Sequence, residues 1–141
     1  MSPAPGISHD LNGKLLGSVL CAEDDPDLRL ILEASLGLGN LSPVVCGSGL
    51  ELLNKLQTHT PDLILLDVMM PGLDGPETLQ ALRKLPQTAG TPVIFVTARV
   101  QPTEVETYLA MGAIAVIPKP FDPTTLASRI KDAWRERGGA I

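Results

Sequence analysis

Five short apolar runs recur along the chain, and after each comes a segment whose apolar residues fall at helical spacing. No other feature restricts the fold as much. The runs are "SVLCAE" (18–23), "SPVVC" (42–46), "DLILLD" (62–67), "TPVIFVT" (91–97) and "AIAVIP" (113–118). They are too short for buried helices and too continuously apolar for strands with one wet face. Strands covered on both sides and alternating with helices imply a parallel sheet between two helical layers. Right-handed crossovers then restrict the class to α/β, a doubly wound sheet of five strands with five helices. Asp25 and Pro26 read as the N-cap and first residue of a helix carrying Leu28, Ile31, Leu32 and Leu36 on one face. Ser48 and Glu51 have capping-box spacing and open a helix over 49–59. Further helices are expected over 76–85, over 102–112 with Gly112 as the stop, and from Asp122-Pro123 to about residue 137.

A chain of 141 residues, 44% hydrophobic and 19% charged, fits one globular domain with its own core. Residues 1–16 are rich in Pro, Gly, Ser and Asn and are expected to form a flexible leader. Residues 17–137 then form the domain and 138–141 a tail. A net charge of -5 without a Lys/Arg cluster argues against direct contact with nucleic acid. No run approaches the roughly 20 apolar residues of a membrane span. The leader also lacks a signal-peptide core, so a cytoplasmic protein with no membrane contact is expected. Cys21 and Cys46, each inside an apolar run, read as buried free thiols.

In a doubly wound sheet the functional crevice lies at the carboxyl ends of the strands. The first strand ends in Glu23-Asp24, the third in Asp67 and the fourth in Thr97; the fifth runs into Lys119 between two prolines. Each residue alone has a plainer reading. A strand-end acid is more often a cap or turn residue, the reading adopted for Asp25 and for Asp74 before Gly75. Thr97 alone would be an ordinary β-branched strand residue, Lys119 a solvated loop lysine, and His59 a partner of a helix dipole. Together, three carboxylates, a hydroxyl and an ammonium on one sheet edge are hard to assign to packing.

Charge decides what such a cluster can do. Three clustered carboxylates stay ionised when a cation sits among them. Oxygen ligands without His or Cys suit a hard ion, and Mg2+ takes one or two carboxylates plus water and a phosphate oxygen. A carboxylate beside Mg2+ is a competent nucleophile toward phosphorus. The phosphoryl group would add roughly -1.5 to -2 charges, offset by Mg2+ and Lys119. Thr97 would donate its hydroxyl to a phosphoryl oxygen. Asp67 then ends its strand so that a phosphoryl group can reach it.

The set "VLCAEDD", "LILLDVMMPGLDG", "VIFVTA" and "IPKPF" resembles the receiver domain of two-component response regulators, over roughly residues 18 to 137. The resemblance implies a flavodoxin-like sheet in the order 2-1-3-4-5. It implies Asp67 as phosphoacceptor, Asp24 as a direct Mg2+ ligand, Glu23 holding the metal through water, and the backbone carbonyl of Met69 completing the protein ligands. Thr97 and Lys119 would bind the phosphoryl group, and the Lys119–Pro120 peptide would be cis. The implied partners are a histidine kinase or phosphotransfer protein and an unidentified downstream protein target. Signalling would run through the fourth helix, fifth strand and fifth helix, a face that could also form a homodimer. The chain would be no enzyme beyond its own phosphorylation and slow dephosphorylation. It departs from the family at Val116, where many receivers carry an aromatic residue. A stand-alone receiver is expected, with a fragment of a longer regulator as the alternative. A Mg2+-dependent phosphohydrolase of the haloacid dehalogenase type also forms an aspartyl phosphate, but it needs an acid two residues after the nucleophile, where Met69 stands.

Overall fold

In the computed structural model, which describes residues 11–141, all five apolar runs are strands. They are β1 (Ser18–Ala22), β2 (Ser42–Cys46), β3 (Leu63–Asp67), β4 (Val93–Thr97) and β5 (Ala115–Pro118). Between and after them come α1 (Pro26–Leu38), α2 (Gly49–Lys55), α3 (Gly75–Lys84), α4 (Pro102–Ala110) and α5 (Leu126–Glu136). Every strand pair is parallel and the order is β2-β1-β3-β4-β5, as expected. The inner strands β3 and β4 are buried at every position, which explains their unbroken apolar sequence.

Side-chain alternation splits the core in two. On one face Val19, Cys21, Leu63, Leu65, Ile94, Val96 and Ile117 pack under Leu32 and Leu36 of α1 and Ile130 and Trp134 of α5. On the other, Leu20, Ile64, Leu66, Val93 and Phe95 pack under Leu52 of α2, Leu79 and Leu82 of α3 and Tyr108 of α4. Cys21 and Cys46 are buried free thiols, one per cluster. Burial, with Glu51 adding and Lys55 opposing, pushes the Cys46 thiol up to about 11. Burial chiefly, with Cys46 adding, raises Cys21 further.

Helix ends follow local hydrogen bonding. Asp25 caps α1, its Oδ1 accepting the N–H of Asp27 at 2.8 Å and of Leu28 at 3.3 Å. Ser48 caps α2 through the Glu51 N–H, while the Glu51 carboxylate accepts from Gly47 rather than from Ser48. Helix α2 stops at Lys55, short of the expected residue 59, because Gln57 and Thr58 bond three residues back ahead of Pro61. His59 therefore lies past the helix, and its Nε2 is buried without a hydrogen-bond partner among the described residues, so the helix end does not hold it as a dipole partner. Asp74 is a cap rather than only a turn residue, sharing a full capping box with Glu77 at 2.8 and 3.1 Å. Helix α5 begins at Leu126, later than expected, because the Asp122 carboxylate bonds the N–H and hydroxyl of Thr124 and closes a turn first. Gly112 follows the end of α4 with φ +112°, a conformation that disfavours side chains.

The segment entering β1 pairs with the segment leaving α5. The Leu11 N–H donates to the Arg137 carbonyl, Gly13 to Gly138 and Ala140 to Lys14, at 2.8–2.9 Å. The Trp134 indole N–H donates to the carbonyls of Lys14 and Ala140, at 2.9 and 3.1 Å. The expected divisions after residues 16 and 137 run through this pairing, and the leader's first ten residues lie outside the described residues. Among the described residues no helix is long and apolar enough to cross a membrane.

Candidate functional site

Strand order brings the predicted residues to one place. Because β1 and β3 are neighbours with Ala22 level with Leu66, the next residue on each strand sets Glu23 beside Asp67. Strand β4 lies on the far side of β3 and carries Thr97 one position past Asp67's partner Val96. Strand β5 delivers Lys119, whose N–H donates to the Thr97 carbonyl at 2.9 Å, and the Lys119–Pro120 bond is cis, as the resemblance implied.

The centre is an ion-paired trio. Lys119 Nζ stands 2.6 Å from Glu23 Oε1 and 2.9 Å from Asp67 Oδ2. Both carboxylates are buried, at 2% and 5% exposure, so without a partner each would be costly to ionise. Burial of the ammonium works against its charge. Hydrogen bonds to Glu23 and Asp67, and the charges of both, outweigh that and hold Lys119 above the ordinary lysine value. The remaining carboxylate oxygens are also placed: Glu23 Oε2 accepts the Asp25 N–H at 3.1 Å and Asp67 Oδ1 the Met69 N–H at 3.2 Å.

Asp24 is exposed, yet one of its oxygens lies within 4.8 Å of oxygens from Glu23 and Asp67. Three carboxylates against one ammonium leave an excess of two negative charges. An all-oxygen donor set with that excess fits a hard divalent cation. The floor is apolar: Leu32, Leu65, Val96 and Phe121 line a void of about 10 Å3 beneath Glu23 and Asp67. Thr97 is buried, and its Oγ1 accepts the Arg99 N–H at 3.0 Å, which leaves the hydroxyl proton to be donated elsewhere. The side chains of Met69 and Arg99 are exposed at the rim.

Two contributors escaped the sequence reading. Gly75 enters the sequence reading only as the neighbour of Asp74. Its N–H donates to the Val68 carbonyl at 2.9 Å, and a Cβ there would sit 2.7 Å from the Asp67 carbonyl oxygen and 2.8 Å from the Val68 Cα. Only glycine lets α3 start against the end of β3. Arg29 has no place in the sequence reading, yet its Nη1 donates to the carbonyls of Glu23 and Asp24, at 3.0 and 2.9 Å.

Known proteins resemble this chain over most of its length. The family model for the response regulator receiver domain matches residues 19–131. The transcriptional regulatory protein CpxR of Escherichia coli is 38% identical over 120 residues, covering 85% of this chain and 50% of that protein. The DNA-binding response regulator MtrA of Mycolicibacterium smegmatis is 33% identical over 117 residues, covering 83% and 50%. The chain spans about half the length of the curated relatives it matches. Among solved structures, the chemotaxis response regulator CheY4 of Vibrio cholerae has a TM-score of 0.78 at 29% identity, covering 84% of this chain and 98% of that one.

Proposed function

The chain belongs to the response regulator receiver domain family, and from that premise we propose that it accepts a phosphoryl group on Asp67 and thereby switches its contacts with a downstream protein. The donor is a histidine kinase or phosphotransfer protein. The observation that carries this reading is the cluster of Glu23, Asp24 and Asp67 oxygens within 4.8 Å, two of the three acids sharing Lys119. Asp24, Asp67 and the Met69 carbonyl would hold Mg2+ directly, and Glu23 through water. When bound, that ion offsets carboxylate charge and polarises the phosphoryl oxygens.

The protein's own residues do the rest. An Asp67 oxygen forms a bond to phosphorus as the phosphorus–nitrogen bond of the donor histidine breaks, and the imidazole nitrogen keeps the electron pair. The Asp67 carboxylate then loses its own full charge, so Lys119 turns from it to a phosphoryl oxygen. Thr97 donates its free hydroxyl proton to another. The reading holds whether the output lies on a separate protein or further along a longer chain. It places the chemistry in the cytoplasm, which two free buried thiols support. Met69 offers no proton to a leaving group, so turnover of other substrates forms no part of the proposal.

The test is exposure to acetyl phosphate with Mg2+, read by intact mass. Wild type should gain one phosphoryl group; Asp67→Asn, or a chelator, should abolish it. Full labelling of the Asn variant would overturn the assignment to Asp67, and an unlabelled wild type would overturn the function.

A further inference from the structure

We infer that Arg29 is a positioning residue for the acidic loop, holding the backbone of Glu23 and Asp24 so that their carboxylates meet Asp67 at a metal-binding spacing. The inference rests on reading the crevice as a Mg2+-dependent phosphoacceptor site. Glu23 and Asp24 occupy the link between β1 and α1. The Glu23 N–H is the last to pair on the strand side, donating to the Cys46 carbonyl at 3.0 Å. The helix begins its own ladder with Asp25, whose carbonyl accepts the Arg29 N–H at 3.0 Å. The carbonyls of Glu23 and Asp24 fall between these two ladders and accept no backbone N–H among the described residues. Arg29 reaches back from the first turns of α1 and satisfies both with the two hydrogens of a single nitrogen.

The slot that receives the guanidinium is shaped on its other side too. Gly47 follows β2, and a Cβ there would stand 3.2 Å from Arg29 Nη1 and 3.3 Å from Glu51 Oε2. The Glu51 carboxylate is fixed against the same point by the Gly47 N–H at 2.7 Å. A missing side chain therefore makes room for the guanidinium exactly where the loop needs a donor to two carbonyls, and a carboxylate borders the slot. Orienting a ligand through the group behind it is how outer partners tune metal sites generally.

Charge and positioning predict opposite signs, which makes the inference testable. Were Arg29 only a cation near the site, its removal would strengthen Mg2+ binding by relieving repulsion. As a positioning residue, its removal weakens binding by freeing the loop. Two hydrogen bonds from a charged donor, at the usual net worth, correspond to about tenfold or more in affinity. Calorimetric titration of metal-free protein with Mg2+ should show Arg29→Met weakened by about that factor and Arg29→Lys largely rescued, since an ammonium can also donate to both carbonyls. Gly47→Ala, which crowds the slot without changing charge, should weaken binding less. Without metal, amide shifts of residues 23–25 should move in Arg29→Met while the rest of the spectrum stays native. Unchanged or tighter binding in Arg29→Met overturns the inference and leaves the phosphoacceptor reading standing. A folded wild type that binds no Mg2+ overturns that reading, and the inference with it. Should Arg29→Met fail to fold, Gly47→Ala decides: affinity equal to wild type overturns the inference.

Discussion

The two faces of the sheet reach the same carboxyl edge with different chemistry. Along β1, β3 and β5, alternation puts Glu23, Asp67 and Lys119 in line with Cys21, Leu65 and Ile117, the face covered by α1 and α5. Along β4 it puts Thr97 in line with Phe95, the face covered by α2, α3 and α4. One face thus contributes a network of charges closed by short ion pairs. The other contributes one hydroxyl, above an aromatic pair: Phe95 and Tyr108 meet edge to face with centroids 5.5 Å apart. Val116, level with Phe95 on β5, completes that apolar patch where many receivers carry a swinging aromatic. The contrast separates two tasks. In the proposed chemistry the charged face would bind and react, while the hydroxyl face would hold one phosphoryl oxygen through Thr97 and pass the change on through β4 and α4.

Stripping the charged face should have the largest effect. Lys119→Met leaves Glu23 and Asp67 buried and facing one another, and breaking such a pair costs about 3 kcal/mol. Urea denaturation without Mg2+ should show that loss, and added Mg2+ should return part of it. Thr97→Ala should lose far less. Equal losses would mean that the faces do not differ in kind.

Alkaline pH offers the same contrast without mutation. Lys119 is held above its ordinary value of 10.5, so the stability it contributes is fully present below that value. That contribution is lost as pH rises through the higher folded value. Wild type should therefore weaken at strongly alkaline pH by a step that Lys119→Met lacks and Tyr108→Leu keeps, measured by urea midpoints.

Tyr108→Leu probes the other face and should be milder, about 1–2 kcal/mol of stability from lost packing and the ring pair. Labelling at Asp67 should survive it. The beryllofluoride-induced amide shifts over residues 98–121, expected in wild type as modest backbone movements around Val116, should shrink. If labelling falls as far as those shifts do, chemistry and transmission are not separated.

The smallest effect concerns the rim. Met69 offers no useful hydrogen bond to water and Arg99 can only donate, so neither helps a water attack the aspartyl phosphate. Wild type should dephosphorylate slowly, and Met69→Asn, Arg99→Glu and the double variant should each lose phosphate several-fold faster. Rates equal to or below wild type would remove water positioning as the explanation.

What could be read from the sequence divides by the kind of atom involved. The strands and Glu23, Asp24, Asp67 and Lys119 were legible because apolar runs and charged side chains announce themselves. So were the caps Asp25 and Ser48, whose side chains form the very bonds the pattern implies. Arg29 and Gly75 were not, since both act on the backbone: Arg29 bonds the carbonyls of Glu23 and Asp24, while Gly75 bonds that of Val68 and leaves room beside that of Asp67, and none of this leaves a trace in residue type. The pairing of residues 11–16 with 137–140 was hidden for the same reason. Asp122 was misplaced as a helix start because its carboxylate had two local uses, a helix cap or a turn, and Thr124 took it for the turn.

The tie between Trp134 and the carbonyls of Lys14 and Ala140 has a practical result for anyone watching this molecule in solution. The protein has one tryptophan, fully buried, at the end of α5 beside the entry to β1. The crevice lies at the opposite sheet edge, a strand length of roughly 17 Å away. Its emission should follow global unfolding and loss of the pairing between residues 11–16 and 137–140 closely while staying dark to events at Asp67. Metal and beryllofluoride titrations therefore call for another signal, and a dye or surface anchor attached near residue 11 or residue 141 would stand clear of the crevice.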